Sequence, residues 1–132
     1  MYNKRIMALF ANPKNVGIIQ GASAIGHYTN ESTNDVYKLY LKVEDEIIVD
    51  ASFKAFCGAD GIAIFSVLTE LLFDKNINEV NEITEDDILE EIGEFSEDNL
   101  SVKDALETLK LTVIDYNKKQ QKLLKLLEKN NK

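Results

Sequence analysis

Two strand patterns joined by a three-residue link constrain the fold of this 132-residue chain more than any other feature. The segment from Asp35 to Val43 alternates apolar and polar residues, as a half-buried strand does. Glu44-Asp45-Glu46 then forms a tight polar turn, and Ile47 to Phe56 is the next strand. Strands joined by so short a link pair antiparallel. With an edge strand predicted over the Gly-rich segment from Ile18 to His27, the chain forms a three-stranded meander.

The last of these strands leads directly into the most apolar helix of the chain. Cys57-Gly58-Ala59-Asp60-Gly61 forms the turn, and a helix is predicted from Ile62 to Leu72 with Asp60 as its N-cap. The only cysteine therefore precedes a helix N-terminus, where unpaired N–H groups and the helix dipole favour a thiolate. The alternative is that Cys57 only fills the turn as a small apolar residue.

Helices are predicted before and after the three strands in the sequence. The first covers Tyr2 to Ala11 and ends at Asn12-Pro13, and Thr84 begins another as N-cap, with Asp87 at the capping-box position. A polar loop from Gly93 to Asn99 precedes a long helix from Ser101 to Lys129, with Ser101 as N-cap and Asp104 at the capping-box position. The fold class is therefore α+β: one domain, residues 1–132, in which helices cover one face of a three-stranded antiparallel sheet.

Residues 117–132, which we call the basic extension, continue the long helix. They contain six lysines, one glutamate and an apolar set formed by Leu123, Leu124, Leu126 and Leu127. Three interpretations are open for this segment: a frayed helix end, a partner-binding helix or a helix lying on a membrane surface.

Charge and composition exclude some classes of function. The net charge of −8 argues against general nucleic-acid binding, which requires a basic face. No apolar run approaches the roughly 20 residues that span a bilayer. A single cysteine excludes an intramolecular disulfide and suits a reducing compartment, so a cytoplasmic location is predicted.

Four ordered segments resemble the IscU/NifU N-terminal family of iron–sulfur cluster scaffolds. Residues 12–17, Asn-Pro-Lys-Asn-Val-Gly, resemble the family's Asn-Pro-Arg-Asn-Val-Gly, and residues 35–39 resemble the strand that follows its first cysteine. Residues 51–70 resemble the strand and helix around its second cysteine. Residues 114–116, Ile-Asp-Tyr, match the end of its last helix. The resemblance implies a fold like that of the IscU, NifU and related SufE proteins.

The resemblance also implies a ligand set, which this chain keeps only in part. Such scaffolds hold a transient cluster or metal ion with three cysteines and an aspartate. The aspartate corresponds to Asp35, but Thr33 occupies the first cysteine position. Gly58 occupies the second, with Cys57 one residue earlier, and Ser101 occupies the third, or Leu100 if the loop is shifted.

The remaining donors predict weakened or lost cluster binding. Iron–sulfur clusters are typically held by four thiolates, and zinc sites use Cys and His ligands. Asp35 and Cys57 are the candidate metal ligands, and Asp60 and His27 would add at best a weak mixed site. The alternative for Asp35 is an ordinary turn residue, and for His27 a structural or surface residue.

Three functions follow from these observations. The first is iron–sulfur cluster assembly by a scaffold-like, non-enzymatic protein, with a cluster, iron or zinc as the implied cofactor. The second is a sulfur carrier in which Cys57 receives persulfide, as in the SufE family, which works with one cysteine. The third is a binding-only paralogue that has lost the metal site. The resemblance implies a cysteine desulfurase as partner, and homo-oligomers sharing Cys57 are a further hypothesis.

Overall fold

The computed structural model describes residues 3–93 and 99–130 of the chain. These residues form, in order, α1 (Lys4–Ala11), β1 (Ala24–Asn30), β2 (Asp35–Glu44), β3 (Ile47–Phe56), α2 (Ala59–Leu72), a short 3-10 helix (Val80–Glu82), α3 (Glu85–Ile92) and α4 (Leu100–Asn130).

The three strands form one antiparallel sheet in the order β1-β2-β3, as predicted. The link between β2 and β3 shortens to Asp45 and Glu46, whose φ angles are +52° and +67°. Two consecutive residues with positive φ give a turn whose twist matches that of the strands, which fixes the hairpin register. A bulge between Lys42 and Val43 shifts that register near the turn.

The helices cover one face of the sheet. Helix α4 packs against β1 and β2, α2 packs against β3, and α1 and α3 pack on α2. Gly26 of β1 permits the close approach of α4, because a Cβ there would lie 2.7 Å from the Thr108 carbonyl oxygen and 2.8 Å from the Thr112 nitrogen. The largest fully buried side chains lie between sheet and helices; they include Tyr37, Leu39, Phe53, Phe65 and Leu68.

The opposite face of the sheet is also partly covered. Alternation places Tyr37 and Tyr40 on opposite faces and predicts that at most one of them is buried. Both are buried, with exposed fractions of 0% and 8%. Ser52, the cross-strand partner of Tyr40, donates a hydrogen bond to the Gly17 carbonyl at 2.9 Å. The segment before β1 therefore shields this part of the outer face.

Several element ends differ from the sequence prediction. Strand β1 begins at Ala24 rather than Ile18, because a turn with Gly21 at φ +68° precedes it. Asp60 is not the N-cap of α2: Gly58 takes that position in an extended conformation, and the helix begins at Ala59. The capping box of Thr84 and Asp87 is confirmed.

Helix α4 also begins earlier than predicted. It starts at Leu100, so Ser101 is inside the first turn and is not its N-cap. The Asn99 carbonyl accepts the backbone N–H groups of Val102 and Lys103. Most of the predicted loop from Gly93 to Asn99 is outside the described residues, as are Tyr2 and the last two residues of the basic extension.

At its other end, α4 leaves the body of the protein. Every described residue from 117 to 130 is exposed, and the four leucines of the basic extension are exposed by at least half. Within the described parts of the chain, no helix combines the length and apolarity needed to cross a bilayer.

Candidate functional site

The candidate ligand residues meet at one end of the sheet. Val36 at the start of β2 pairs with Phe56 at the end of β3, so Asp35 and Cys57 lie at the same end. Helix α2 starts there with Asp60 in its first turn, and the hydrogen bond between Asp60 and Ser101 brings the first turn of α4 to the same place.

Asp104, which the sequence pattern predicts only as the capping-box residue of a helix beginning at Ser101, is instead the centre of this site. Its carboxylate is 3% exposed and accepts two hydrogen bonds from the Asn30 amide nitrogen, at 3.0 and 3.2 Å. The Tyr37 hydroxyl lies 3.2 Å from Asp104 Oδ2 and 3.4 Å from Asp35 Oδ2. We call Asn30, Asp35, Tyr37 and Asp104 the Asp104 network.

The Asp104 network contains buried ionisable groups whose pKa values are shifted. Burial raises the pKa of Asp104 above its usual range, while the hydrogen bonds from Asn30 and Tyr37 act in the opposite direction. Burial and the nearby Asp104 carboxylate raise the pKa of Tyr37, so its hydroxyl stays protonated and acts as a donor. A buried carboxylate is retained here because neutral donors satisfy it.

Ser101 and Asp60 form a second polar contact beside the Asp104 network. The Ser101 hydroxyl, 7% exposed, donates a hydrogen bond to Asp60 Oδ2. Ser101 stands at the position that the sequence resemblance gives to the third cysteine. Its hydroxyl therefore joins the starts of α2 and α4 by a hydrogen bond.

Cys57 lies between these groups, partly buried after the end of β3. A Cβ on Gly61 would lie 2.5 Å from the Cys57 sulfur and 3.4 Å from the Tyr37 ring, so the thiol packs closely over the first turn of α2. The pKa of Cys57 is raised to about 12, by burial first and then by the charges of Asp35, Asp60 and Asp104. A hydrogen bond from the Ile62 backbone N–H lowers it only in part.

The expectation that the helix N-terminus favours a Cys57 thiolate is therefore wrong. The helix N-terminus does lower the pKa of Cys57, through the hydrogen bond from the Ile62 N–H. Partial burial and three carboxylates raise this pKa by more. The sequence showed the helix N-terminus because it is local. The sequence did not show that the Asp104 carboxylate lies near Cys57, because the two residues are 47 positions apart.

The other predicted positions lie outside the Asp104 network. Thr33 lies in the β1–β2 turn, where its hydroxyl accepts the backbone N–H of Asp35 at 3.3 Å. Gly58 is the exposed N-cap of α2. His27 is exposed on β1. It is three residues from Asn30, so the two side chains point to opposite faces of the strand, and His27 does not reach the site.

The donor set does not fit a thiolate-bound cluster. Among residues 3–93 and 99–130, no group of three or more His, Cys, Asp or Glu side chains is arranged to hold a metal ion. The site offers one thiol, and two of its nearby carboxylates accept hydrogen bonds from Asn30, Tyr37 or Ser101. Iron–sulfur clusters require several thiolates, which this arrangement lacks.

The family model and the similar proteins of known function indicate the same family. The family model of the NifU-like N terminal domain matches residues 1–123. The iron–sulfur cluster assembly scaffold protein IscU 1 of Archaeoglobus fulgidus is 33% identical over 129 residues, which cover 97% of this chain and 84% of that protein. The scaffold protein IscU of Aquifex aeolicus is 34% identical over 122 residues, covering 90% of this chain and 78% of that protein.

Solved structures share the fold at lower sequence identity. The N-terminal NifU-like protein of Brucella abortus has a TM-score of 0.72 at 16% identity, covering 91% of this chain and 94% of that chain. The SUF-system protein FiSufU of Fervidobacterium islandicum has a TM-score of 0.71 at 22% identity, covering 85% and 96%. At these identities the likeness is evidence for the fold alone.

Proposed function

Because the chain belongs to the family of NifU-like N-terminal domains, we propose that it acts in iron–sulfur cluster assembly as a scaffold-like protein with a degenerate ligand site. In this role it is not an enzyme. It presents the scaffold surface to the assembly machinery, while the cluster is substrate and not a resident cofactor. A cytoplasmic location and a cysteine desulfurase partner are part of the same proposal, on the basis of the family.

The observation that carries this proposal is the replacement of thiolates by a hydrogen-bonded polar network. Ser101 binds Asp60, and Asp104 binds Asn30 and Tyr37, at the end of the sheet where the family resemblance places the ligands. These hydrogen bonds occupy lone pairs of the Asp60 and Asp104 carboxylates and orient them toward Ser101, Asn30 and Tyr37. Carboxylates also prefer hard cations, whereas a cluster prefers thiolates.

The metal-ligand role of Asp35 and Cys57 remains a prediction within this proposal. Both residues lie at the same end of the sheet, and Asp35 is close enough to raise the pKa of the Cys57 thiol. Two ligands on one chain do not make a stable site for iron or zinc. If a cluster forms, a second chain has to supply the missing donors.

A sulfur-carrier role for Cys57 is the second candidate. The thiol is only partly buried, and the Ile62 N–H would stabilise a thiolate or a persulfide anion at this position. In this reaction the Cys57 sulfur attacks the outer sulfur of a desulfurase persulfide, and the desulfurase thiolate leaves. A pKa near 12 opposes this step at neutral pH, so a partner would have to displace or neutralise the neighbouring carboxylates.

Anaerobic reconstitution with iron, cysteine and a cysteine desulfurase tests these roles together. The proposal predicts binding to the desulfurase, substoichiometric iron and sulfide, and no persulfide on Cys57. Persulfide on Cys57 without iron, lost in Cys57→Ser, would instead favour the sulfur carrier. Failure to bind any cysteine desulfurase from the same cell would contradict the assembly function itself.

A further inference from the structure

The basic extension is a helical surface without a partner in the described part of the chain. Leu123, Leu124, Leu126 and Leu127 are 50–59% exposed. Leu123 and Leu127 are four residues apart and share one face of the helix, and Lys122 and Lys129, seven residues apart, border the leucine stripe on one side. Exposed leucines on a charged helix are typical of a surface that is buried in a complex.

This helix does not cover its own domain. Helix α4 is continuous from Leu100 to Asn130, which corresponds to about 46 Å at 1.5 Å per residue. Its buried residues end at Val113, and the segment after residue 116 extends beyond the sheet. The extension would have to break the helix in order to fold back, and an interior break costs several hydrogen bonds.

The body of the protein carries a surface of opposite charge. Two adjoining clefts on α2, the 3-10 helix and α3 share Lys75, Ile83 and Asp87. They therefore form one groove, which we call the acidic groove. Its half-buried apolar residues are Leu71 and Ile83, and its carboxylates are Glu79, Glu82, Asp87, Glu90 and Glu91.

The charges of the two surfaces are complementary. Of the residues that line the acidic groove between Leu71 and Glu91, only Lys75 is basic. Among the described residues, no ion pair joins the carboxylates of this groove segment to a lysine or arginine. The basic extension carries a net charge of +5, which leaves −13 on residues 1–116. Contact between the two surfaces in different molecules therefore lowers the repulsion within each surface.

We propose that the basic extension of one molecule docks in the acidic groove of a second copy of this chain. Leu123 and Leu127 contact the apolar floor at Leu71 and Ile83, and the flanking lysines approach the carboxylates of the rim. This is the helix-in-groove mode, in which residues at i and i+4 anchor an amphipathic helix. The proposal concerns the surface on α2 and α3 and is independent of the ligand residues.

Charge reversal of each surface tests this proposal. Light scattering of the full chain at low salt is expected to give at least twice the monomer mass of 14.9 kDa. The helix variant Lys122→Glu/Lys129→Glu and the groove variant Glu82→Lys/Glu90→Lys should each weaken self-association by at least about tenfold. An equimolar mixture of the two variants should associate again, because the acidic helix of one fits the basic groove of the other.

Matched controls separate local complementarity from net charge. Lys38→Glu/Lys54→Glu changes an exposed cross-strand pair on the sheet by the same total charge as the helix variant. Glu31→Lys/Glu44→Lys changes the total charge by the same amount as the groove variant, at exposed positions outside the groove. Both controls should keep the mass of the wild type, and circular dichroism should show that every variant is folded.

Two results would overturn the proposal. One is a wild-type chain that stays monomeric at high micromolar concentration and low salt. The other is self-association that survives both charge reversals. A monomer that binds phosphatidylglycerol vesicles, and loses this binding in Leu123→Glu/Leu127→Glu, would assign the helix to a lipid surface instead.

Discussion

Asp104 places a carboxylate where its neighbours on α4, Val102 and Ala105, are fully buried. The cost of this burial is offset by Asn30 and Tyr37, which donate three hydrogen bonds to it. Because burial raises the pKa of Asp104 above 3.8, the folded state binds this proton more tightly than the unfolded chain. The contribution to stability is then fully present below the unfolded pKa and is lost as the pH rises through the folded pKa.

The Asp104→Asn variant tests this linkage. The free energy of unfolding of the wild type should increase relative to that of Asp104→Asn as the pH falls from neutral towards 4. The slope should not exceed about 1.4 kcal/mol per pH unit, the limit for one proton. Urea denaturation at a series of pH values measures it, with the exposed Asp86→Asn as control. Parallel profiles for wild type and Asp104→Asn would contradict the assignment.

Cys57 gives a second prediction at this scale. With its pKa raised from 9.0 to about 12, its thiolate population at neutral pH is about 1,000-fold lower than that of an unperturbed thiol. The rate of alkylation by iodoacetamide should therefore rise about tenfold per pH unit from pH 7 to 10 without a plateau. The chain unfolded in urea serves as control and should level off near pH 9. A plateau below pH 9 in the folded protein would show an activated thiol and favour the sulfur carrier.

Among the elements, the contact between β1 and α4 depends on one glycine. A Cβ at Gly26 would meet backbone atoms of Thr108 and Thr112 at 2.7 and 2.8 Å, and backbone cannot move aside as a flexible side chain can. Gly26→Ala should therefore destabilise the protein by about 3 kcal/mol, the upper part of the range for overpacking. Thermal or urea unfolding measures this loss.

The double variant Gly26→Ala/Thr112→Ala distinguishes the cause. Removing the Thr112 hydroxyl takes away a side-chain obstacle but leaves both backbone contacts, so little stability should return. Full recovery in the double variant would show that the side chain alone limits the approach of α4.

The elements that the sequence predicts well are those specified by local patterns. Alternation predicts β2, the short polar link after it predicts β3 as an antiparallel partner, and the capping box of Thr84 and Asp87 marks the start of α3. The N-terminal ends of α2 and α4 were less predictable, because several residues near each end can serve as N-cap. Asp60 and Ser101 are good capping residues by type, yet they bind each other instead.

The site was predictable only in its outline. The family resemblance predicts that Asp35, Cys57 and Ser101 lie close together, and the structure brings them to one end of the sheet. The contact between Asn30 and Asp104 joins residues 74 positions apart and has no local signature. The effect of Asp104 on the pKa of Cys57 therefore could not be derived from the helix N-terminus alone.

At the scale of the whole molecule, a scaffold fold is combined with a site that lacks the scaffold's ligands. The core between the sheet and the helices does not depend on a metal ion, since apolar side chains fill it. The ligand positions lie at the end of the sheet, on turns and first helical turns, and the large apolar side chains of the core come from other positions. The fold and the ligand set can therefore diverge independently in this family.

The most direct test restores the ligand register of the family. Thr33→Cys, Cys57→Gly, Gly58→Cys and Ser101→Cys, combined in one chain, give three cysteines beside Asp35. Both this variant and the wild type are reconstituted anaerobically, and iron and acid-labile sulfide are counted per chain. We expect stoichiometric cluster in the restored variant and substoichiometric iron and sulfide in the wild type. Stoichiometric cluster in the wild type, dependent on Cys57, would contradict the degenerate site and imply ligands shared between chains.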